Sequence, residues 1–135
     1  MQMSKENIKK NNINNIEIIN KAIWIDNDGI EFNSEGADGG SIYGNLNKKI
    51  RVKSVRLRDL LKIKDGIDML KMDLEGVEVD ILNDCKDMLK NIKNIFVEYH
   101  SWNDQRQRLN ELLEVLSKNN FRYFIKSISK RKAHL

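Results

Sequence analysis

Two short strings hold the residues best suited to chemistry: Lys71-Met72-Asp73-Leu74-Glu75-Gly76 and Val97-Glu98-Tyr99-His100. Each ends an apolar run short enough to be a buried strand. Strand alternation sets Lys71 and Asp73 on one face, about 7 Å apart, and Glu98 and His100 on one face of the other strand. Neighbouring strands lie about 5 Å apart, so adjacency would bring Asp73, Glu75, Glu98 and His100 to one crevice. Gly76 permits a positive φ or a close backbone approach before the next element. In such a crevice His100 can accept a proton while the carboxylates position it or a substrate. A structural reading stands beside this one. Asp73 would cap the following helix, the helix dipole would favour Glu75, Lys71 would snorkel, and His100 would be an ordinary loop residue. Spacing alone does not separate the two. A carboxylate-and-histidine metal site ranks third, because no spacing here is diagnostic of one.

The elements around these strings follow from periodicity. Ser4 is suited to cap a short helix through Lys10. Ile16–Ile25 is β-rich, Asp26-Asn27-Asp28-Gly29 is a turn signal, and Ile30-Glu31-Phe32 is expected to return as the second strand of a hairpin. Gly36 to Gly44 reads as a loop, Ile50 to Val55 as a strand, and Leu57, Leu60 and Leu61 as one face of a short helix. Ile67–Asp73 is a strand after the Asp65-Gly66 turn, and Leu74-Glu75-Gly76 is a tight link. Ile81, Leu82, Cys85, Met88, Leu89 and Ile92 recur at helical spacing. Lys93 to Tyr99 is the next strand. Ser101 and Asp104 resemble a capping box for an amphipathic helix over Asp104 to Lys118, with Asn119-Asn120 as its stop and Phe121 to Ile128 as a last strand. Strand, helix, strand, helix, strand predicts an α/β domain with a mostly parallel sheet, whose ligands bind beyond the carboxyl ends of the strands.

Composition narrows the function classes. The chain has 135 residues, with 40% hydrophobic and 33% charged, as expected of one folded domain. No apolar run is long enough to span a bilayer and the first residues lack a signal-peptide pattern, so a cytoplasmic location and no membrane partner are expected. The single Cys85 forms no internal disulfide, and no Cys/His cluster has zinc spacing. The net charge of +4 is spread over interspersed Lys and Glu and does not demand a nucleic-acid partner. The tail residues Lys126, Lys130, Arg131 and Lys132 would be the contact for one, but no interleaved aromatics support it.

The string IDMLKMDLEGVEVDIL, then IKNIFVEYH, a Leu-rich helix and NNFRYFI, resembles the FkbM-type methyltransferase pattern. That pattern has a strand reading Leu-Lys-x-Asp-x-Glu-Gly-x-Glu and a later strand ending in Glu plus a polar residue. Earlier matches extend the resemblance to residues 5 to about 128: Asn20-Lys21-Ala22-Ile23, a hairpin with Gly29, Gly40-Ser41-Ile42, and Val55 to Leu61. The resemblance implies a class I, Rossmann-like three-layer α/β/α fold. It also implies S-adenosylmethionine as methyl donor and a sugar or other small-molecule hydroxyl as acceptor. Carried over residue by residue, Asp73 and Glu75 would line the donor–acceptor pocket, Glu98 and His100 would face the acceptor, and Ala22 would lie near the adenine. The Asp-x-Gly-x-x-x-Gly loop and the acidic residue for the ribose hydroxyls are missing. Gly36, Gly39 and Gly40 follow a hairpin and are no substitute. Residues 1–135 therefore read as the C-terminal two-thirds of such a domain, expected to be inactive alone. The alternative is a non-catalytic binding or regulatory remnant. Without the missing strands, Ile67–Asp73 would present a bare edge. Ile16–Ile25 is expected to pair with it directly, or two chains to associate through it.

Overall fold

The computed structural model describes residues 2–33, 49–63, 66–102 and 105–126. The chain divides into two compact units, Met1–Ile63 and Lys64–Leu135. Both mix helix and strand, so the fold is α/β.

The first unit contains helix α1 (Gln2–Lys10), strands β1 (Ala22–Trp24), β2 (Ile30–Asn33), β3 (Lys49–Val52) and β4 (Ser54–Arg56), and helix α2 (Leu57–Lys62). Ser4 lies inside α1 rather than at its start. The expected hairpin of the first two strands does not form. β1 pairs in parallel with β4, and β2 pairs antiparallel with β3. The turn between β1 and β2 is tied to later segments instead. The Ser54 hydroxyl, buried, donates to the Asp26 carbonyl and accepts from the Gly29 amide, both at 2.8 Å. Asn27 accepts from the Arg56 amide and donates to Asp59 on α2, each at 3.2 Å. Gly29 has φ +94° and sits so close to β3 that a Cβ would meet the Val52 carbonyl oxygen at 2.9 Å. Leu57 and Leu61 are buried, as their spacing requires. The glycine-rich stretch from Gly36 to Gly44 lies outside the described residues.

The second unit holds strand β5 (Ile67–Asp73), helix α3 (Glu78–Asp84), a 3-10 helix over Lys86–Asn91, strand β6 (Ile92–Glu98) and helix α4 (Leu109–Lys118). β5 and β6 are parallel neighbours, in register from Ile67↔Ile92 to Asp73↔Glu98. Two parallel strands need a crossover, and α3 with the 3-10 turn supplies it. The predicted apolar stripe is buried except at half-buried Met88, but it runs over α3, the 3-10 helix and Ile92, the first residue of β6. Ile81, Leu82, Cys85, Leu89 and Ile92 are each at most 5% exposed, and the α-helix gives way to 3-10 geometry around Cys85. Within the first unit the partner of β1 is β4, and within the second, among the described residues, the partner of β5 is β6.

α4 begins at Leu109, not at Asp104, which lies outside the described residues, and no side chain caps it. Its start is set by Arg108. The Arg108 amide donates to the Tyr99 hydroxyl at 2.6 Å, and its guanidinium bridges Asp80 of α3 and Glu111 of α4 at 2.8 and 2.9 Å. The Asn stop is as expected: Asn120 has φ +63°, and the Phe121 amide returns to the Leu116 carbonyl at 3.0 Å. The expected last strand does not form over residues 121–126, and residues 127–128 lie outside the description. A strand exists only as part of a ladder; no partner lies alongside among the described residues, and Phe124 is 91% exposed. Among the described residues no helix is long and apolar enough to cross a membrane.

Candidate functional site at the carboxyl ends of β5 and β6

β5 ends at Asp73 and β6 at Glu98, directly opposite each other in the ladder. Alternation puts Lys71, Asp73 and Glu98 on a common face. The exposed Lys71 ammonium reaches both acids, 3.3 Å from Glu98 and 3.7 Å from Asp73, and lies 5.9 Å from the centre of the Phe96 ring. Lys71 therefore bridges the strand ends rather than snorkelling.

Beyond Asp73 the chain turns sharply. Glu75 has φ +54° and Gly76 has φ +106°. Gly76 adopts this region freely, whereas Glu75 holds it against its own Cβ. The turn brings Glu75 to His100, just past the end of β6. His100 Nε2 is 3.8 Å from Asp73 Oδ1 and 3.8 Å from Glu75 Oε2. Asp73, Glu75 and His100 each offer a ligand atom within 4.8 Å of the others, so among the described residues they could hold a metal ion. The imidazole stacks on Trp102, with ring centres 6.3 Å apart and planes 19° from parallel. Glu98 is joined to this group through Lys71. Of the predicted site residues, the turn thus draws Asp73, Glu75 and His100 together, with Glu98 at their side. Ala22 sits half-buried in β1 of the first unit.

One member of the site was not singled out from the sequence. Glu78 is the first residue of α3, and it is buried, with its side chain 1% exposed. Its Oε1 accepts from the Leu74 amide at 3.1 Å and the Gly76 amide at 3.2 Å, and lies 3.0 Å from His100 Nδ1. Where Oε1 accepts from the ring as it does from the two amides, Nδ1 carries the hydrogen and Nε2 is left facing Asp73 and Glu75. Glu78 Oε2 is buried with no hydrogen-bond partner. The capping role considered for Asp73 is not realised: α3 has no side-chain cap at Val77, and Glu78 takes the amides ahead of the helix. The available signal for Glu78 was its place as the last Glu of the Leu-Lys-x-Asp-x-Glu-Gly-x-Glu string, two residues after Gly76, from where its side chain reaches back over the tight turn. Its charge argued for solvent instead.

Burial lowers the pKa of His100, but the hydrogen bond to Glu78 and the charges of Glu78, Glu75 and Asp73 outweigh it. The imidazole therefore titrates above its ordinary value.

A parallel strand pair joined by a helical crossover, with a carboxylate–imidazole cluster at the carboxyl ends, is the layout of an α/β domain whose chemistry sits at strand ends. A family model described as "Methyltransferase FkbM domain" matches residues 30–123, which is most of the chain and all of this cluster. The chain belongs to the FkbM methyltransferase domain family. Ala22 precedes the matched span. No curated protein and no solved structure matches the chain.

The described residues do not fit the amino-acid end of a bound S-adenosylmethionine. That group needs free backbone amides at a glycine-bearing turn between strand and helix. β4 runs straight into α2 without a glycine. The β5–α3 turn has Gly76, but the amides of Leu74 and Gly76 are already bonded to Glu78.

Proposed function

We propose that this chain carries the acceptor side of an S-adenosylmethionine-dependent methyltransferase that modifies a hydroxyl of a sugar or another small molecule. The observation that supports it is the convergence of Asp73, Glu75 and His100 at adjacent strand ends inside the family span. Methyl transfer to a hydroxyl requires the oxygen to be held in line and relieved of its proton. His100, with Nδ1 fixed by Glu78, presents Nε2 to take that proton. Asp73 and Glu75 flank Nε2 and orient the hydroxyl, and Glu98 with Lys71 bounds the crevice. The proposal extends to the class I three-layer α/β/α sheet, of which residues 1–135 would supply the C-terminal two-thirds, without the glycine-rich donor segment.

The spent amides of the β5–α3 turn favour one further reading: alone, the chain is a non-catalytic remnant that does not grip the donor. Titration calorimetry of the purified chain with S-adenosylmethionine tests it. The expected result is no measurable heat or a dissociation constant weaker than about 100 μM, some 5.5 kcal/mol of binding free energy. A low-micromolar constant would show that the chain holds its donor unaided and would overturn the partial-domain reading.

A further inference from the structure

We propose that Asp73, Glu75 and His100 form a binding site for a divalent cation of the Mn2+ type. The three donor atoms face one another within 4.8 Å. Nε2 stands 3.8 Å from one oxygen of each acid. That is too long for a hydrogen bond in any protonation state. It falls within the range for two ligands on one ion: donor atoms about 2.1–2.4 Å from a metal, at angles of roughly 90–130°, stand about 3.0–4.3 Å apart.

A second observation lies on the far side of the ring. Glu78 is 0% exposed, holds His100 Nδ1 at 3.0 Å, and leaves its buried Oε2 without a partner. A carboxylate on the remote nitrogen is how proteins set the tautomer of a metal-ligating histidine and raise its basicity. The buried anion also leaves charge to be answered. Asp73, Glu75 and Glu78 surround one imidazole, and Lys71 is shared between Asp73 and Glu98. A dication among the three ligands would set positive charge where three carboxylates surround one imidazole.

The ligand set chooses the ion. Carboxylates suit Mg2+, Ca2+ and Mn2+, imidazole suits transition ions, and Mn2+ belongs to both groups. Asp73 and Glu75 are exposed, so the remaining coordination positions open to solvent and to an acceptor hydroxyl. Ion binding stands on this geometry by itself. Its use, to hold and orient the acceptor oxygen, rests on the methyl-transfer reading above, and with an ion bound Nε2 serves as a ligand and not as the base.

The test adds MnCl2 to the purified chain, with no donor or acceptor present, so its failure and the failure of the methyl-transfer reading are separate results. Free Mn2+ is counted by electron paramagnetic resonance, and broadening of His100 is followed by NMR. One bound ion is expected, with His100 ring signals broadened first. The double variant Asp73→Asn/Glu75→Gln should bind at least tenfold more weakly, and so should His100→Ala, which leaves both carboxylates in place. Asp68→Asn, an exposed acid at the opposite end of β5 that pairs with Lys93 at 2.7 Å, should bind as the parent does. Unbroadened His100 signals at millimolar Mn2+, or an equal loss in Asp68→Asn, would overturn the site.

Discussion

Alanine at His100 or at Asp73 is expected to lower methyl transfer by about 10²–10⁴-fold, the range set by losing a positioned acid–base group. The measurement is kcat/KM in a form of the protein that carries a donor-binding segment and turns over, with urea denaturation of each variant alongside. Neither change should unfold the domain. Asp73 is exposed and makes its contacts with Lys71 and His100 at 3.7 and 3.8 Å, so its loss should cost less than about 1 kcal/mol. His100→Ala removes one of the partners of Glu78 Oε1, and the amides of Leu74 and Gly76 remain, so about 1–2 kcal/mol is expected. A rate loss of 10²-fold alone is about 2.7 kcal/mol of barrier, larger than either stability change. Turnover near the parent value in both variants would remove these residues from the site.

Glu78→Ala is expected to be the most destabilising change in the site, at about 3–5 kcal/mol, the cost of breaking a buried charged network from one side. The side chain is fully buried, and its Oε1 is the common acceptor for the Leu74 amide, the Gly76 amide and His100 Nδ1. Removing it leaves two amides and an imidazole without their partner and opens a void at the first turn of α3. Against a net stability of about 5–15 kcal/mol for a small domain, this is a large fraction. Glu78→Gln keeps the shape and one acceptor oxygen but sets a buried NH2 where the unpartnered Oε2 now sits. It should fall between, at about 1–3 kcal/mol. The denaturant midpoint with an unchanged slope gives both numbers. An alanine variant within about 1 kcal/mol of the parent would mean that the turn and the imidazole are held by something else.

The second half of the chain was legible because its signals are local and agree. Ile67–Asp73 and the strand ending at Glu98 are short runs bounded by turn residues, and alternation paired Lys71 with Asp73 and Glu98 with His100; their convergence hung on adjacency, and the expected burial is met only at Met72 of β5 and Ile92 of β6. The structure adds the register. Asn120 stops α4 for the reason its side chain suggests. The first half was misread where a local turn signal competed with tertiary bonds. Asp26 to Gly29 has the composition of a hairpin turn, but Ser54 takes the Asp26 carbonyl and the Gly29 amide and directs β1 to β4. No periodicity within residues 16–32 encodes a bond to residue 54. The start of α4 failed similarly: Ser101 and Asp104 spell a cap, while the bonds that fix the helix come from Tyr99 and Asp80 through Arg108. Glu78 closes the Leu-Lys-x-Asp-x-Glu-Gly-x-Glu string, but the spacing assigned it no role, and a charge in the first turn of a helix is usually solvated. Its burial depends on the turn folding over it, which only the three-dimensional arrangement reveals.

Glu75 gives the site a direction of decay. Its φ of +54° is a backbone state that glycine occupies freely and asparagine tolerates, while glutamate pays about 1 kcal/mol or more to hold it. A lineage freed from the need for the crevice would gain stability by drifting to Gly or Asn at position 75. The buried Glu78 behind it would be retained, because losing it unravels the turn. Copies of this chain with Gly or Asn at 75 and Glu at 78 would thus mark relaxed selection on the site with the fold still guarded, and the site would be lost from the outside in.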